Sequence, residues 1–317
     1  MSFLIPEVFV ILAADLILLV FLTFAVVLAI GIARHWNLSD TSERQYRLEK
    51  RSVLVSVLVK YALAVKIPMF LLFIYSLDKL ANLLPGAMCA AGTLNATPYA
   101  KYLLYLTVFN IYLSACWLVL DRCDGKSEIM PYTRLKNLFI PVIYVFFCAE
   151  LALFILNFAS IDPQTPVSCC TAIFSSDTSP LMTLSGRNSA IIFCANFVLM
   201  IAAYFFRRYF LYGLLNTAFI FTSVLSLILF TGTYVYELPT HLCPFCLLQS
   251  GYHYVGYLFY VLLFIGTFCG LSSLMMRAVS GLHDKKMLNL SVIFNSFYFL
   301  LSVYYPLSYY IRNHTWL

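Results

Sequence analysis

Charged residues are scarce in this sequence. Asp, Glu, Lys and Arg make up 11% of its 317 residues, whereas hydrophobic residues make up 62%. Soluble globular domains carry about 25% charged residues, so this composition excludes an ordinary soluble protein. The net charge of +6 does not indicate nucleic-acid binding, because the basic residues fall in short stretches between apolar runs. We predict an all-α, polytopic membrane helix bundle in contact with membrane lipid, with one integral membrane domain over 1–317 and no soluble domain.

The beginning of the chain also lacks a basic region and a small-residue cleavage pattern, so we interpret its first apolar segment as a retained helix. A spanning helix needs about 20 apolar residues. The apolar segments predict eight such helices, at roughly 5–33, 57–83, 102–120, 138–158, 189–206, 210–234, 250–276 and 291–311. The charged stretch at 42–56 fits a cytoplasmic extension of the second helix.

The distribution of lysine and arginine predicts the orientation. Fifteen of the 20 basic residues lie in, or at the edges of, the loops after helices one, three, five and seven. Basic loops stay in the cytoplasm, so both termini are predicted to lie on the extracytoplasmic side. The localisation that follows is a multi-pass protein, taken to be in a bacterial inner membrane, with its cysteine-bearing loops facing the periplasm.

Five of the ten cysteines fall in the three predicted external loops: Cys89 in the first, Cys169 and Cys170 in the second, Cys243 and Cys246 in the third. Thiols on an oxidising side become oxidised unless they are paired or used. Because five is odd, at least one of them is free, metal-bound or engaged with a partner. The other cysteines lie within spans or on the cytoplasmic side, where packing is the simplest role: Cys116, Cys123, Cys148, Cys194 and Cys269.

Cys243 and Cys246 form the single Cys-x-x-Cys motif of the chain, at the start of an aromatic segment. Pro244 between them is typical of the first turn of a helix. A helix N-terminus favours thiolate over thiol, so we predict a redox-active cysteine pair at the mouth of a membrane helix. Two buried packing cysteines remain the alternative.

Thiol–disulfide exchange also requires a second cysteine pair that passes electrons on. We predict that Cys89, with Cys169 or Cys170, forms an outer relay, with Gly92 and Gly251 allowing close approach of the chain near the cysteines. Structural disulfides that staple the external loops are the alternative interpretation.

Below the motif, Cys246, Ser250, His253 and Tyr257 are spaced four, three and four residues apart, which predicts one face of a helix. A quinone head group needs hydrogen-bond donors beside an apolar, aromatic slot, and this face offers both. We therefore predict Ser250, His253 and Tyr257 as quinone-binding residues. An interfacial belt of aromatic residues would give the same pattern.

Three ionisable residues fall inside other predicted spans: Asp15, Lys66 and Glu150. Such residues are costly in a bilayer unless they are paired. The sequence suggests an Asp15–Lys66 pair between the first two helices and a place for Glu150 in a proton path. Structural pairing and proton relay both stay open.

The stretch Cys243-Pro-Phe-Cys-Leu-Leu-Gln249 resembles the Cys-Pro-Leu-Cys-x-x-Gln-Arg stretch of bacterial DsbB-type disulfide oxidoreductases. It is also similar to the vitamin K epoxide reductase (VKOR) family, which places Cys-x-x-Cys at the external end of a helix. The family arginine is replaced by Ser250 here. Those families use a four-helix bundle, a bound quinone and a thioredoxin-fold partner. The resemblance implies that Cys246 faces the quinone and that Cys243 exchanges with the loop cysteines.

The predicted function is thus a membrane thiol–disulfide oxidoreductase that passes electrons between an extracytoplasmic thioredoxin-like protein and a membrane quinone. Three other interpretations stay open. External thiols with Met88 nearby suit copper(I), which prefers soft sulfur ligands. A non-catalytic anchor or assembly subunit would use its disulfides as staples. A transporter would use Asp15, Lys66 and Glu150, although no inverted repeat is visible in the sequence.

Overall fold

The computed structural model describes residues 5–37, 42–87, 89–125, 130–162, 164, 166–167, 185–281 and 285–317. Over these residues the chain is helical and contains no β-strand. Eight of its helical segments are long and apolar enough to cross a membrane. The prediction of an all-α, multi-pass membrane protein with eight spans is confirmed, while the side on which the termini lie stays a prediction.

Seven of the eight spans begin and end within six residues of the predicted segments. The second helix takes in most of the charged stretch at 42–56, as the sequence suggested, and the seventh begins later than predicted, at Val255. The α-helices are α1 (Pro6–His35), α2 (Glu43–Ala81), α3 (Ala90–Asn95), α4 (Ala100–Gly125), α5 (Thr133–Ala159), α6 (Gly186–Phe205), α7 (Tyr209–Ser226), α8 (Gly232–Tyr236), α9 (Val255–Ser280) and α10 (Lys285–Asn313). A π-helical segment, Leu227–Thr231, joins α7 to α8, so that Tyr209–Tyr236 forms one span.

The helices group into two compact units. Unit 1 comprises Met1–Pro85 and Thr93–Val167 and contains α1, α2, α4 and α5. Unit 2 comprises Gly86–Gly92 and Ser168–Leu317 and contains α6 to α10. Each unit therefore has four spans, a division that the sequence analysis did not predict. The assignment of 1–317 to one integral membrane domain stays a prediction.

In unit 1, α1 packs against α2 and α5, and α4 packs against α5. Ala25 and Ala29 allow α1 to approach its neighbours closely, beside the buried Trp117 of α4. Small residues serve this purpose in membranes, where lipid tails are as apolar as the side chains they meet. Between α1 and α2, Lys66 donates a hydrogen bond to Asp15 over 2.9 Å, which confirms the pair suggested by the sequence.

In unit 2, α9 packs against α10 and α7, and α6 packs against α7. Its interior is aromatic: Phe193 and Phe219 stack, and the Tyr298 ring meets both at an angle. The same hydrophobic cluster continues to Cys89, Cys243 and Cys246. The packing of unit 2 thus holds the three described cysteines of the predicted external loops.

Candidate functional site

Three cysteine sulfurs meet inside unit 2. The Sγ atoms of Cys89 and Cys243 lie 3.7 Å apart. With Cys246 they form a group whose sulfur atoms all lie within 4.8 Å of one another. All three side chains are buried, with exposed fractions of 1%, 1% and 6% respectively. We call Cys89, Cys243 and Cys246 the sulfur cluster.

Two tyrosines hold the Cys-x-x-Cys segment in place. The Tyr236 hydroxyl, at the end of α8, donates a hydrogen bond to the carbonyl oxygen of Cys243. The Tyr260 hydroxyl, in α9, donates to the carbonyl oxygen of Pro244 over 2.7 Å. Buried carbonyl groups need such partners where no regular helix supplies them. The backbone of the motif is therefore held by hydrogen bonds from two spans, the one that precedes it in the chain and the one that follows it.

A glycine lets the motif lie directly on α9. A Cβ atom at Gly256 would lie 2.9 Å from the backbone carbon and oxygen of Leu247. Leu247 itself is fully buried. A larger residue at this first turn of α9 would push the Cys246–Leu248 segment away, so Gly256 sets the position of Cys246.

Cys89 is placed by a tight turn before α3. The Gly92 N–H donates to the Cys89 carbonyl oxygen over 2.9 Å, and a Cβ at Gly92 would lie 2.8 Å from the Ala87 Cβ. The prediction that Gly92 permits close approach is confirmed. The same prediction for Gly251 is wrong, because a Cβ there would meet no atom within 4 Å.

His241 lies beside the sulfur cluster, and the sequence analysis did not single it out. Its ring packs on Tyr236 with centroids 4.2 Å apart. Its Nε2 atom is buried and has no hydrogen-bond partner among the described residues. Burial lowers the pKa of His241, and a charge on nearby Cys89 partly opposes this. The residue is therefore a neutral imidazole at pH 7, with one nitrogen available to a proton or a ligand. Its position two residues before Cys243 is the signal that was overlooked.

The helix predicted to begin at the motif does not form there. Cys246–Leu248 is a short 3₁₀ turn, Gln249 is extended, and Ser250–Tyr252 is a second 3₁₀ turn. His253 and Tyr254 adopt left-handed backbone conformations before α9 begins at Val255. Ser250 and Gly251 are poor helix formers, which explains the break.

Two predictions fail with that helix. Cys246, Ser250, His253 and Tyr257 do not share a helix face, because only Tyr257 lies in α9. Ser250, His253 and Tyr257 are exposed rather than gathered around a slot. The second prediction that fails is that a helix N-terminus favours a thiolate at the motif. The helix α9 begins nine residues after Cys246, and the effect of a helix dipole falls off within one turn. Whether these three residues bind a quinone is a prediction that stays open.

The remaining cysteines stand apart from the cluster. Cys169 and Cys170 lie outside the described residues, so their predicted role in the relay stays a prediction. Cys116, Cys123 and Cys148 belong to unit 1, and Cys194 and Cys269 lie along α6 and α9. None of these five joins the group of mutually close sulfurs found among the described residues.

The sulfur separation suits two kinds of chemistry. A disulfide requires about 2.05 Å between sulfur atoms, so Cys89 and Cys243, with sulfurs 3.7 Å apart, would have to approach by about 1.7 Å to form one. Two thiolates bound tetrahedrally to Zn²⁺ at about 2.3 Å would lie about 3.8 Å apart. The arrangement can therefore exchange disulfides among three sulfurs or hold a thiophilic metal ion.

The chain was compared with family models, curated proteins and solved structures, and no match was found in any of the three comparisons.

Proposed function

We propose that this chain is a membrane thiol–disulfide oxidoreductase whose centre is the sulfur cluster. The observation that carries the proposal is the 3.7 Å separation of the Cys89 and Cys243 sulfurs, 154 positions apart in sequence. An exchange reaction needs a cysteine from elsewhere beside the Cys-x-x-Cys pair. The resemblance to DsbB-type and VKOR proteins assigns the same role to Cys243, as the partner of a loop cysteine.

The proposed exchange begins with Cys243 and Cys246 joined in a disulfide. The Cys89 thiolate attacks the Cys243 sulfur, a Cys89–Cys243 bond forms, and Cys246 leaves as a thiolate. Cys169 or Cys170 then attacks the Cys89 sulfur and releases Cys243 as a thiolate. Two electrons thereby move from the outer cysteines to the Cys243–Cys246 pair. An extracytoplasmic thioredoxin-like protein would in turn reduce the outer pair.

His241 suits the first proton transfer. Its buried Nε2 has no hydrogen-bond partner among the described residues, and its charge state is sensitive to Cys89. A neutral imidazole in this place can accept the Cys89 proton and so generate the attacking thiolate. In this proposal His241, rather than a helix dipole, generates the Cys89 thiolate.

The electron acceptor that we propose is a membrane quinone, on the strength of the family resemblance. Quinone reduction to quinol takes up the two electrons and two protons released when Cys243 and Cys246 reoxidise. The described residues do not form the slot that the sequence predicted, because Ser250, His253 and Tyr257 are exposed and lie on different elements. We therefore assign no binding geometry and no separate step to the quinone.

The test is disulfide trapping in native membranes. In a Cys169→Ala/Cys170→Ala variant no outer thiol can attack the Cys89 sulfur, so a Cys89–Cys243 disulfide should accumulate above its wild-type level and appear as a cross-linked peptide by mass spectrometry. Cys194→Ala is the matched control and should leave the wild-type pattern unchanged. If Cys89 stays reduced or pairs elsewhere in Cys169→Ala/Cys170→Ala, the proposal is wrong.

A second measurement tests the acceptor. After mild reduction, wild-type Cys243 and Cys246 should reoxidise in purified protein only when a quinone is added. Reoxidation at the same rate without quinone would remove the quinone from the proposal, and external cysteines that stay oxidised throughout would favour the anchor-subunit interpretation.

A metal centre is the second candidate function, favoured by one observation. The three buried sulfurs lie within 4.8 Å of one another. Three thiolates suit copper(I), which prefers soft sulfur ligands. Elemental analysis of protein purified without chelator should then find about one metal ion per chain, lost in Cys89→Ser. Protein free of metal that still exchanges disulfides would reject this candidate.

A further inference from the structure

A cluster of ionisable side chains lies within the spans of unit 1. The Lys66 ammonium contacts Asp15 Oδ1 at 2.9 Å and Glu150 Oε1 at 3.0 Å. All three side chains are buried, and Lys66 also lies 4.8 Å from the centre of the Phe147 ring. We call Asp15, Lys66 and Glu150 the intramembrane triad.

The triad is not balanced in charge. Two ionised carboxylates and one ammonium would carry a net charge of −1 inside the spans, where an unpaired charge costs several kcal/mol or more. No other ionisable residue lines the two cavities that adjoin Lys66. One further positive charge, such as a proton, would neutralise the triad.

Unit 1 contains a second cluster of ionisable side chains, which differs from the triad in its number of lysines. Lys136 lies 3.0 Å from Asp121 and 2.9 Å from Asp124, and Lys60 lies 2.6 Å from Asp121. Lys136 and the two aspartates are buried, whereas the Lys60 side chain is 52% exposed, and with both lysines the cluster is neutral when every member is ionised. The triad differs in that, among the described residues, no second lysine contacts its carboxylates.

The hydrogen bonds indicate which carboxyl group holds the proton. Glu150 receives an N–H donor on each oxygen, Lys66 on Oε1 and Asn110 on Oε2, the latter over 2.6 Å. Thr107 also lies 2.9 Å from Oε1, but its one hydroxyl proton is shared with the Leu103 carbonyl oxygen. Donors on both oxygens stabilise the ionised form.

Asp15 is in a different position. Its Oδ1 accepts from Lys66, and the described residues supply no donor to its Oδ2. A carboxyl group with one oxygen without a donor can carry a proton there without losing a hydrogen bond. The proton of the triad therefore belongs on Asp15.

Two cavities adjoin the triad in opposite directions along the helices. One is lined by the triad together with Ile11, Phe73 and Phe154. The other is lined by Lys66 and Asn110 with Leu22, Val59 and Ile143, which lie toward the other ends of the same four helices. Lys66 lines both cavities, so the triad has empty space on both sides along the helices.

We propose that unit 1 binds one exchangeable proton on Asp15, in a site formed by the intramembrane triad. Lys66 from α2 and Glu150 from α5 are the ionisable groups that face it, and α4 contributes only the neutral Thr107 and Asn110. A proton fits better than a metal cation, because the ammonium of Lys66 lies between the two carboxylates and repels a second cation. The site is separate from the thiol chemistry proposed for unit 2 and does not depend on it.

The test is infrared spectroscopy of the full chain in lipid nanodiscs. The wild type should show one carbonyl band of a protonated carboxyl group at neutral pH. That band should shift when the protein is labelled with carboxyl-¹³C aspartate and should not shift with labelled glutamate. Because labelling leaves the protein unchanged, this measurement does not depend on any variant folding.

The same spectrum of selected variants counts how many carboxyl groups of the triad are protonated. Asp15→Asn should abolish the band and Lys66→Met should double it, since two carboxyl groups then have no cation. Asp78→Asn, on the same helix as Lys66, is the control and should keep the band, as should Cys243→Ser if the site is independent of the sulfur cluster. A wild type without the band, a band that moves with labelled glutamate, or a band that disappears on adding Na⁺ would overturn the proposal.

Discussion

The two units differ in the kind of polar side chain that they bury. The buried polar contacts of unit 1 include ion pairs, with Asp15, Lys66 and Glu150 in one cluster and Asp121 and Lys136 in another. The described part of unit 2 buries no Asp, Glu, Lys or Arg. Its interior uses amides, hydroxyls and thiols instead.

The hydrogen bonds of unit 2 connect these neutral groups. Asn295 donates to Asn216 over 2.9 Å, and Asn216 donates to the Thr267 carbonyl oxygen over 2.9 Å. The Tyr298 hydroxyl donates to the Ser223 carbonyl oxygen over 3.1 Å. Neutral groups of this kind cost less to bury than ions, and they leave no net charge to balance. The difference matches the chemistry proposed for each unit, since protons require ionisable groups and disulfide exchange requires sulfur in a protected interior.

The largest effect should come from removing the one cation of the triad. Lys66→Met leaves two carboxyl groups without their partner, and breaking a buried ion pair costs about 3–5 kcal/mol of unfolding free energy. Reversible unfolding in mixed detergent micelles measures this loss. Lys101→Met is the control, because Lys101 is an exposed residue of α4 with no ion pair among the described residues, and it should behave as wild type. Equal stability of Lys66→Met and wild type would mean that unit 1 does not depend on its buried charge.

A smaller effect is expected where the cysteine motif lies on α9. Gly256→Ala places a methyl group against the Leu247 backbone, and overpacking of this kind costs about 1–3 kcal/mol. Displacement of Cys246 should also slow formation of the Cys243–Cys246 disulfide, measured by quenched thiol labelling. Gly251→Ala is the matched control, because its Cβ meets no atom within 4 Å. Similar behaviour of the two variants would show that contact with Gly256 does not position the motif.

The neutral network of unit 2 should tolerate change better than the triad. Asn216→Ala removes two hydrogen bonds, each worth about 1 kcal/mol, so we expect a loss of about 2 kcal/mol in the same unfolding assay. Asn313→Ala, at the exposed end of α10, serves as the control. A loss as large as that of Lys66→Met would break the distinction between the two units.

The smallest effect should come from the ion pair that unit 2 keeps at its surface. Arg312 lies 2.8 Å from Glu237, with both side chains about half exposed. Glu237→Gln should therefore lower the unfolding free energy by less than about 1 kcal/mol. The loss should shrink further in high salt, and a salt-independent cost above that value would contradict the assignment of a weak surface pair.

Much of the fold could be predicted from apolar runs alone. A bilayer sets the length of each span, and the runs around Asp15, Lys66 and Glu150 were long enough to be recognised despite the charges. The start of the seventh span was misjudged because the aromatic residues from Tyr252 onward continue the apolar pattern. Hydropathy does not register the left-handed residues His253 and Tyr254 that delay α9.

The candidate site was only partly accessible from the sequence. The spacing of Cys243 and Cys246 identified the pair, and the loop position of Cys89 made it a candidate partner. Tyr236 and Gly256 were missed because a tyrosine or a glycine near a motif carries no signal until its contacts are known. His241 was missed because its position two residues before Cys243 was overlooked. The prediction that Ser250, His253 and Tyr257 share one helix face was wrong, because it required a continuous helix from Cys246 that the chain does not form.

The sequence by itself determined that this protein is a helical membrane protein with eight spans. Charged residues are costly in the hydrocarbon core of a bilayer, so each spanning helix is visible in the sequence as a long apolar segment with few charges. Only the tertiary structure decided that the spans divide into two units, that Cys89 meets Cys243, and that Glu150 joins Asp15 and Lys66. These contacts join residues far apart in the chain and depend on which helix faces pack together. Shape complementarity and hydrogen bonding over the whole of each unit determine that packing.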